Sequence, residues 1–399
     1  MLQEFHRSLG ARFAELNGAQ IVTDYGDWLA EHAALRETAG VLDLSFCSRL
    51  CLVGADRARF LHGQVTNDVK KLRTGEGCYA AITTAKGKME SDLNIFCLAD
   101  ELLLDFAPGL TEKISRRLEK FIVADDVQIV DAAPHYGLLS VQGPEAEAVV
   151  RALGLFGVPP SGGATVANPS RVNAELPTQP LASVKISDAT LGEVYLMRHA
   201  RVASERRAPS RPEPVDVTQL AETVLGVPAG FDLFVPNSSL GAVADKLTAA
   251  AKEIGGRACG WQSFETARIE AGIPRFGADM DETNLPLECG IESRAITYTK
   301  GCYLGQEVIN RIHSVGHVNR ELRGLRLADD LGVPPVRGDK LFHAGMEVGH
   351  VTSAVKSPVF KANIALGYVR REAIQAGNEL ILRTVQGDSP AQVVPLPFA

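Results

Sequence analysis

The sequence predicts an α+β fold, a layered body of strands and helices followed by a small β-barrel. Three observations carry that reading. Between Gly77 and Pro108 three apolar runs, at 79–84, 89–98 and 102–107, are separated only by Ala85-Lys86-Gly87-Lys88 and Ala99-Asp100-Glu101, the pattern of an antiparallel sheet. Strands come in runs with helices interposed, without the strict alternation of a doubly wound parallel sheet. Past Asn319 the texture changes to short β runs punctuated by glycine, at 322–327, 340–342, 347–355, 361–369, 379–382 and 392–394, which makes about six strands and hence a barrel.

Taken in order, Leu2, Phe5, Leu9, Phe13 and Leu16 recur at spacings of three and four, with Glu4, Arg7, Arg12 and Glu15 between them, which predicts an amphipathic N-terminal helix. Residues 19–25 read as a strand, and Asp27 as the N-cap of a helix running to about Thr38. A strand over 41–53 and a helix from about Asp56 follow. The helix exit, Gln64-Val65-Thr66-Asn67-Asp68, is a polar cluster of the kind that caps a helix or makes a turn. Next come a helix over 110–121, strands over 127–131 and 136–142, and a helix over 145–153. Residues 158–181, rich in Pro, Gly, Ser and Asn, read as a long loop. The stretch 181–202 holds two strand-like runs, and 203–214 reads as a polar flexible insertion whose arginines are solvated. Residues 231–235 form a strand, Asn237 or Ser238 caps a helix to about Ile254, and Trp261 opens a helix ended by Gly272 and Pro274. This organisation predicts a body at 1–315, with an insertion at about 158–215, and a barrel domain at 320–399.

Composition narrows the function. The 399 residues are 45% hydrophobic, ample for a globular core. A net charge of -7 without a long basic run lacks the electrostatic footprint of a nucleic-acid or anionic-membrane binder. No stretch of about 18 apolar residues offers a membrane span. The N-terminal segment lacks an apolar h-region and carries acids, so a cytoplasmic location is expected. Seven cysteines at irregular spacings, with no CxxC, do not describe a disulfide framework. On one strand Cys47 and Cys51 would stand roughly 13 Å apart, too far to share a metal or a disulfide. No permanently bound metal or iron-sulfur cluster is expected; a transient cluster contact through Cys302 stays open.

The densest chemistry lies in Lys300-Gly301-Cys302-Tyr303-Leu304-Gly305-Gln306-Glu307, just ahead of a helix expected from about Gly305 to Val315 with Val308, Ile309, Ile312 and Val315 on its buried face. The partial positive charge of a helix start, with Lys300 nearby, favours thiolate at Cys302, and the two glycines permit turns that most residues avoid. The plain alternative is a tight turn with an inert thiol. In the Trp261 helix, Arg268 shares a face with Trp261, Phe264 and Glu265. It either grips an anionic ligand or pairs with Glu265 at i,i+3.

Those eight residues resemble the K-G-C-x-x-G-Q-E signature of the YgfZ-type folate-binding proteins, a family within the aminomethyltransferase-like superfamily of the glycine cleavage system. Gly54-Ala55-Asp56, Val65-Thr66-Asn67-Asp68-Val69, Val141-Gln142-Gly143-Pro144 and Arg268-Ile269-Glu270-Ala271-Gly272-Ile273-Pro274 extend the similarity over most of the chain, excepting the insertion. The resemblance implies a folate-binding body of two α+β units with a C-terminal barrel. It implies tetrahydrofolate binding and support of iron-sulfur enzymes, among them a radical enzyme that thiolates transfer RNA. Cys302 and Lys300 are then the functional residues, with Gly301, Tyr303, Gly305, Gln306 and Glu307 completing the motif. Two departures set it apart from the aminomethyltransferases. Ser91 stands at the position of their catalytic aspartate, and Pro228 at that of a pterin-binding glutamate. Neither replaces a carboxylate. Folate would then rely on other contacts, with Asp92 and Arg268 as candidates. Two rival functions remain, a folate-dependent one-carbon transferase or demethylase with Asp92 as its acid, and a thiol redox protein without folate.

Overall fold

The structure is a computed structural model that describes residues 2–155, 175–199 and 230–398. Most of the expected 158–181 loop, the polar insertion at 203–214 and Pro228 lie outside the described residues. The chain divides into two compact units. The described residues of the first fall within Met1–Ala80, Asp92–Ala200 and Pro228–Phe264; those of the second are Ala81–Ser91 and the chain from Glu265 on.

In order, the chain runs through α1 (Gln3–Ser8), β1 (Arg12–Leu16), β2 (Ala19–Asp24), α2 (Trp28–Glu37), β3 (Gly40–Asp43), β4 (Ser48–Val53), α3 (Arg57–His62), β5 (Gly77–Thr83), β6 (Met89–Cys97) and β7 (Glu101–Phe106). It continues through α4 (Thr111–Glu119), β8 (Gln128–Asp131), β9 (Tyr136–Gln142), α5 (Ala146–Arg151), β10 (Ser183–Asp188), β11 (Gly192–Arg198), β12 (Gly230–Pro236), α6 (Leu240–Glu253), β13 (Arg257–Ala258) and α7 (Trp261–Glu270). Three sheets result: the hairpin β1-β2, a five-stranded sheet ordered β5-β6-β7-β4-β8, and a six-stranded sheet ordered β10-β11-β12-β9-β3-β13. Helices α5 and α6 cover the six-stranded sheet, packing Val149, Val150, Val243 and Leu247 against Val141, Phe231 and Leu233.

Two expectations fail locally. The N-terminal helix stops at Ser8, because Asn17 and Gly18 adopt positive φ and fold Phe13 and Leu16 back as β1 against β2. An Asn-Gly pair between two strands is a hairpin signal that overrode the helical spacing before it. The strand expected at 41–53 is two strands in different sheets, since Asp43 turns the chain by accepting from Ser45 N at 2.9 Å. Cys47 therefore lies outside β4, and no single strand carries it and Cys51. The helix expected to be capped by Asn237 or Ser238 starts instead after Ser239.

The second unit adds α8 (Glu292–Ala295), α9 (Gln306–Val315), β14 (Arg320–Leu327), β15 (Lys340–His343), β16 (Met346–Ser357), β17 (Ala362–Arg370), β18 (Glu379–Thr384) and β19 (Gly387–Val394). The last six close into a barrel ordered β14-β17-β16-β15-β18-β19, as the glycine-punctuated runs predict. Its interior is filled by Leu325, Leu341, Val351, Leu382 and Val393, and on β18 the alternation is plain: Leu380 and Leu382 point in while Glu379 and Ile381 point out.

Candidate functional site

In the second unit the signature stretch is a loop leading into α9. Gly305 occupies the N-cap position at φ +91°, and a Cβ there would stand 2.5 Å from the Thr84 carbonyl oxygen, so the turn is built for glycine. Thr83 Oγ1 donates to the Leu304 carbonyl at 2.6 Å, and Tyr303 N donates to Gln306 Oε1 at 3.3 Å. The loop is thus held by backbone and side-chain bonds. Cys302, four residues ahead of the helix, is an exposed free thiol. Glu307 is exposed in the first turn, where its charge suits the helix dipole. Lys300 is only 7% exposed, and its ammonium lies 4.8 Å from the centre of the Tyr303 ring. Burial pushes the Tyr303 phenol up to about 12.

Helix α9 buries Ile309 fully and Val308 and Ile312 in part, but Val315 is 84% exposed. The expected apolar face ends one turn early. What anchors that end is a polar clamp: His313 Nδ1 lies 2.8 Å from Glu292 Oε1, Tyr298 Oη donates to the same oxygen at 2.6 Å, and the Tyr298 and His313 rings stack at 3.8 Å.

Arg268 lies in a buried network of the second unit. Its guanidinium pairs with Asp279 and with Glu265 at 2.8 Å, and donates to Ser353 Oγ at 2.9 Å and to the Ile273 carbonyl at 3.1 Å. Arg275 joins through Glu265 at 2.8 Å. Burial opposes charge on Glu265, yet the two arginines hold its carboxyl below the ordinary range. Of the two readings of Arg268, the geometry matches the ion pair with Glu265.

In the first unit two sheets face each other. Register places Asn94 beside Asp105 and Asp105 beside Arg49 across β6, β7 and β4, all on one face. Opposite, Asp232 of β12 pairs in register with Ser140 of β9, and the Phe96 and Phe234 rings meet edge-on at 6.3 Å. One end of this space is polar. His199 Nε2 lies 2.8 Å from Asp232 Oδ1 and 3.1 Å from Ser140 Oγ, which accepts from Gln142 Nε2 at 3.1 Å. Arg49 donates to the Ser45 and Tyr136 carbonyls at 3.0 Å, but its Nε and Nη1, and Asp105 Oδ1, are buried without a hydrogen-bond partner among the described residues. Burial pushes the Asp105 carboxyl up to about 7, the charge of Asp232 adding and that of Arg49 opposing. Burial works to lower the His199 pKa, but Asp232 and Asp105 together raise it.

Asp92 precedes Asn94 on that face by the two-residue strand period. It is half-buried and accepts from Tyr79 Oη at 2.7 Å, while the Tyr79 carbonyl accepts from Asn67 of the Thr-Asn-Asp cluster at 2.9 Å. Ser91, on the alternate face of β6, is fully buried. Sequence reading missed Arg49, Asp105, His199 and Asp232. The available signal was a charge inside an apolar strand, as in Ser48-Arg49-Leu50 and Leu104-Asp105-Phe106. No group of three or more His, Cys, Asp or Glu suited to a metal occurs among the described residues, and no described helix is long and apolar enough to cross a membrane.

Residues 2–156 and 228–300 match the GCVT N-terminal domain, and residues 320–399 match the glycine cleavage T-protein C-terminal barrel domain. The chain is 26% identical to an aminomethyltransferase of Halalkalibacterium halodurans, with 100% of this chain and 96% of that protein covered. It is 28% identical to that of Rubrobacter xylanophilus, over 100% of this chain and 93% of the relative. The solved aminomethyltransferase T of the glycine cleavage system from Bartonella henselae shares the fold at a TM-score of 0.80 and 22% identity, covering 100% of this chain and 97% of that one. With the body and the barrel both matched, the chain belongs to the glycine cleavage T-protein family.

Proposed function

We propose that this protein binds tetrahydrofolate and supports the assembly or repair of iron-sulfur enzymes, with Cys302 as its reactive group, acting as thiolate or as a transient cluster ligand. The observation that carries this reading is an exposed thiol on a braced loop whose eight residues match the YgfZ-type signature. Ser91 adds to it. A buried hydroxyl neither holds negative charge nor takes a proton at neutral pH, so the carboxylate-assisted step of an aminomethyltransferase loses its acid.

Folate suits the polar end of the inter-sheet space. A pteridine edge carries both donors and acceptors; the orphaned Asp105 Oδ1 offers an acceptor, and the orphaned Arg49 Nε and Nη1 offer donors. Asp92, oriented by Tyr79, would hold a further ring N-H. When bound, tetrahydrofolate supplies a carrier for one-carbon units; the chain's own groups bind and orient it.

A second reading is a folate-dependent one-carbon transferase or demethylase with Asp92 as its acid. The full-length relatives named aminomethyltransferase favour it. One experiment separates the two: tetrahydrofolate titration of the wild type, Cys302→Ala and Asp92→Asn, paired with activities of cluster-dependent enzymes in a deletion strain carrying each variant. The proposal expects folate binding intact in Cys302→Ala and enzyme activities lost. If Cys302→Ala restores those activities fully while Asp92→Asn abolishes turnover of 5,10-methylenetetrahydrofolate, the second reading replaces it.

A further inference from the structure

The other end of the inter-sheet space in the first unit is apolar and open. A cavity of ≈ 220 Å³ lies there, lined by Cys51, Glu101, Leu103, Val130, Tyr136 and Tyr195 among others. Phe234 also lines it and meets Phe96 edge-on at 6.3 Å. Along β7, Glu101 and Leu103 line the cavity, and Asp105 of the polar cluster comes two residues later. Val130, 41% exposed, marks its open side.

The cavity's chemistry is lopsided. Tyr136 and Tyr195 form one wall, their rings T-shaped at 5.7 Å. Burial raises both phenols above their ordinary range, with Glu193 and then Glu101 adding at Tyr136 and Glu101 at Tyr195, so both stay neutral. Burial and then Glu101 likewise raise the Cys51 thiol far above its usual value, so Cys51 is a neutral S-H neighbour and no nucleophile. Glu101 is thus the one carboxylate among the described residues that line the cavity. Lys185 makes no ion pair with it: its ammonium pairs with Glu193 at 2.8 Å and lies 5.4 Å from the centre of the Tyr195 ring, and Glu101 acts on it only as a lesser charge behind Glu193. No ion pair of Glu101 occurs among the described residues. A carboxylate without an ion pair among the described residues, beside two neutral aromatic rings in an apolar hollow, complements a positive charge attached to an apolar body.

Size sets the body. A dry apolar cavity of about 150 Å³ holds benzene, so this one accommodates a single ring with a short chain. We propose that the cavity is a binding site for a small amine carrying a single ring or a branched apolar group, with the ammonium at Glu101 and the apolar body between Leu103, Phe234 and the two tyrosines. The site shares no residue with the Lys300 to Glu307 stretch or with the residues offered to folate.

The test is calorimetric titration of the full chain with three probes of one shape: phenethylamine, 2-phenylethanol and 3-phenylpropionate. The amine should bind saturably, the alcohol about tenfold more weakly, and the acid not at all. Glu101→Gln should weaken the amine about tenfold and leave the alcohol unchanged. Val130→Trp, which fills the hollow from its open side, should abolish binding of both, with its folding checked by circular dichroism. Absence of saturable binding by all three probes overturns the proposal. So does equal binding of amine and acid, or amine binding that survives both Glu101→Gln and a folded Val130→Trp.

Discussion

Replacing Asp105 by Asn tests the polar inter-sheet cluster most directly, because it removes an ionisable proton while keeping shape. Burial raises this carboxyl from an ordinary value of 3.8 to about 7. The folded state therefore binds a proton that the unfolded chain has already lost, so stability is fully present below the ordinary value and falls as pH rises through 7. At pH 5 the native group is almost wholly protonated and at pH 8 mostly ionised, whereas the unfolded group is ionised at both. At about 1.4 kcal/mol per unit, the wild type should lose about 2–3 kcal/mol between those two pH values from this group. Asp105→Asn lacks that slope. His199 loses its contribution in the same direction; the larger part, owed to Asp232, is kept in both proteins and cancels, and only the smaller part owed to Asp105 is absent from the variant. The charge facing Arg49 is present only where Asp105 is ionised and is one of the causes that set its pKa, so its loss belongs to that slope, and the change in the difference between pH 5 and pH 8 is the quantity that matters. Urea unfolding followed by tryptophan fluorescence reads it, since the two tryptophans, Trp28 and Trp261, both belong to the first unit. A wild-type minus variant difference equal at pH 5 and pH 8, to within about 0.5 kcal/mol, would refute the reasoning.

Three further outcomes are expected. Gly305→Ala should lower stability by about 2 kcal/mol, since a side chain at φ +91° meets the Thr84 carbonyl; thermal unfolding unchanged from the wild type would count against that account of the loop. Arg268→Met should cost about 3–5 kcal/mol, by leaving the buried Asp279 carboxylate without its cation while Glu265 keeps Arg275, and the folate affinity of the folded protein stays as in the wild type. Loss of affinity without loss of stability, measured by calorimetry and thermal melts, would restore Arg268 as a ligand contact. Cys302→Ser should leave stability within about 0.5 kcal/mol, yet remove the fast phase of iodoacetamide labelling in the native protein, because the other six cysteines are buried or half-buried. Persistence of a fast phase in the variant would place the reactive thiol elsewhere.

The sequence by itself determined the strand runs at 79–84, 89–98 and 102–107, the barrel, and the helix following Gly305, because each rests on a local rule: hydrophobic period, turn residues, or a glycine where no Cβ fits. It also singled out the stretch from Lys300 to Glu307 as the densest chemistry of the chain. Where a short local signal competed with a longer one, as Asn17-Gly18 did with the spacing of Leu9, Phe13 and Leu16, the periodicity misled, since a turn costs few residues and redirects all that precede it. Tertiary structure alone decided which charges become buried. Nothing in the strand Ser48–Val53 says that Arg49 will face Asp105, or that β12 will set Asp232 opposite both, because register and sheet order join residues scores of positions apart. The same holds for Arg268. Its spacing fitted either a ligand clamp or an ion pair, and only the arrival of Asp279 and Ser353 beside Glu265 engaged both its terminal nitrogens and made it part of the frame.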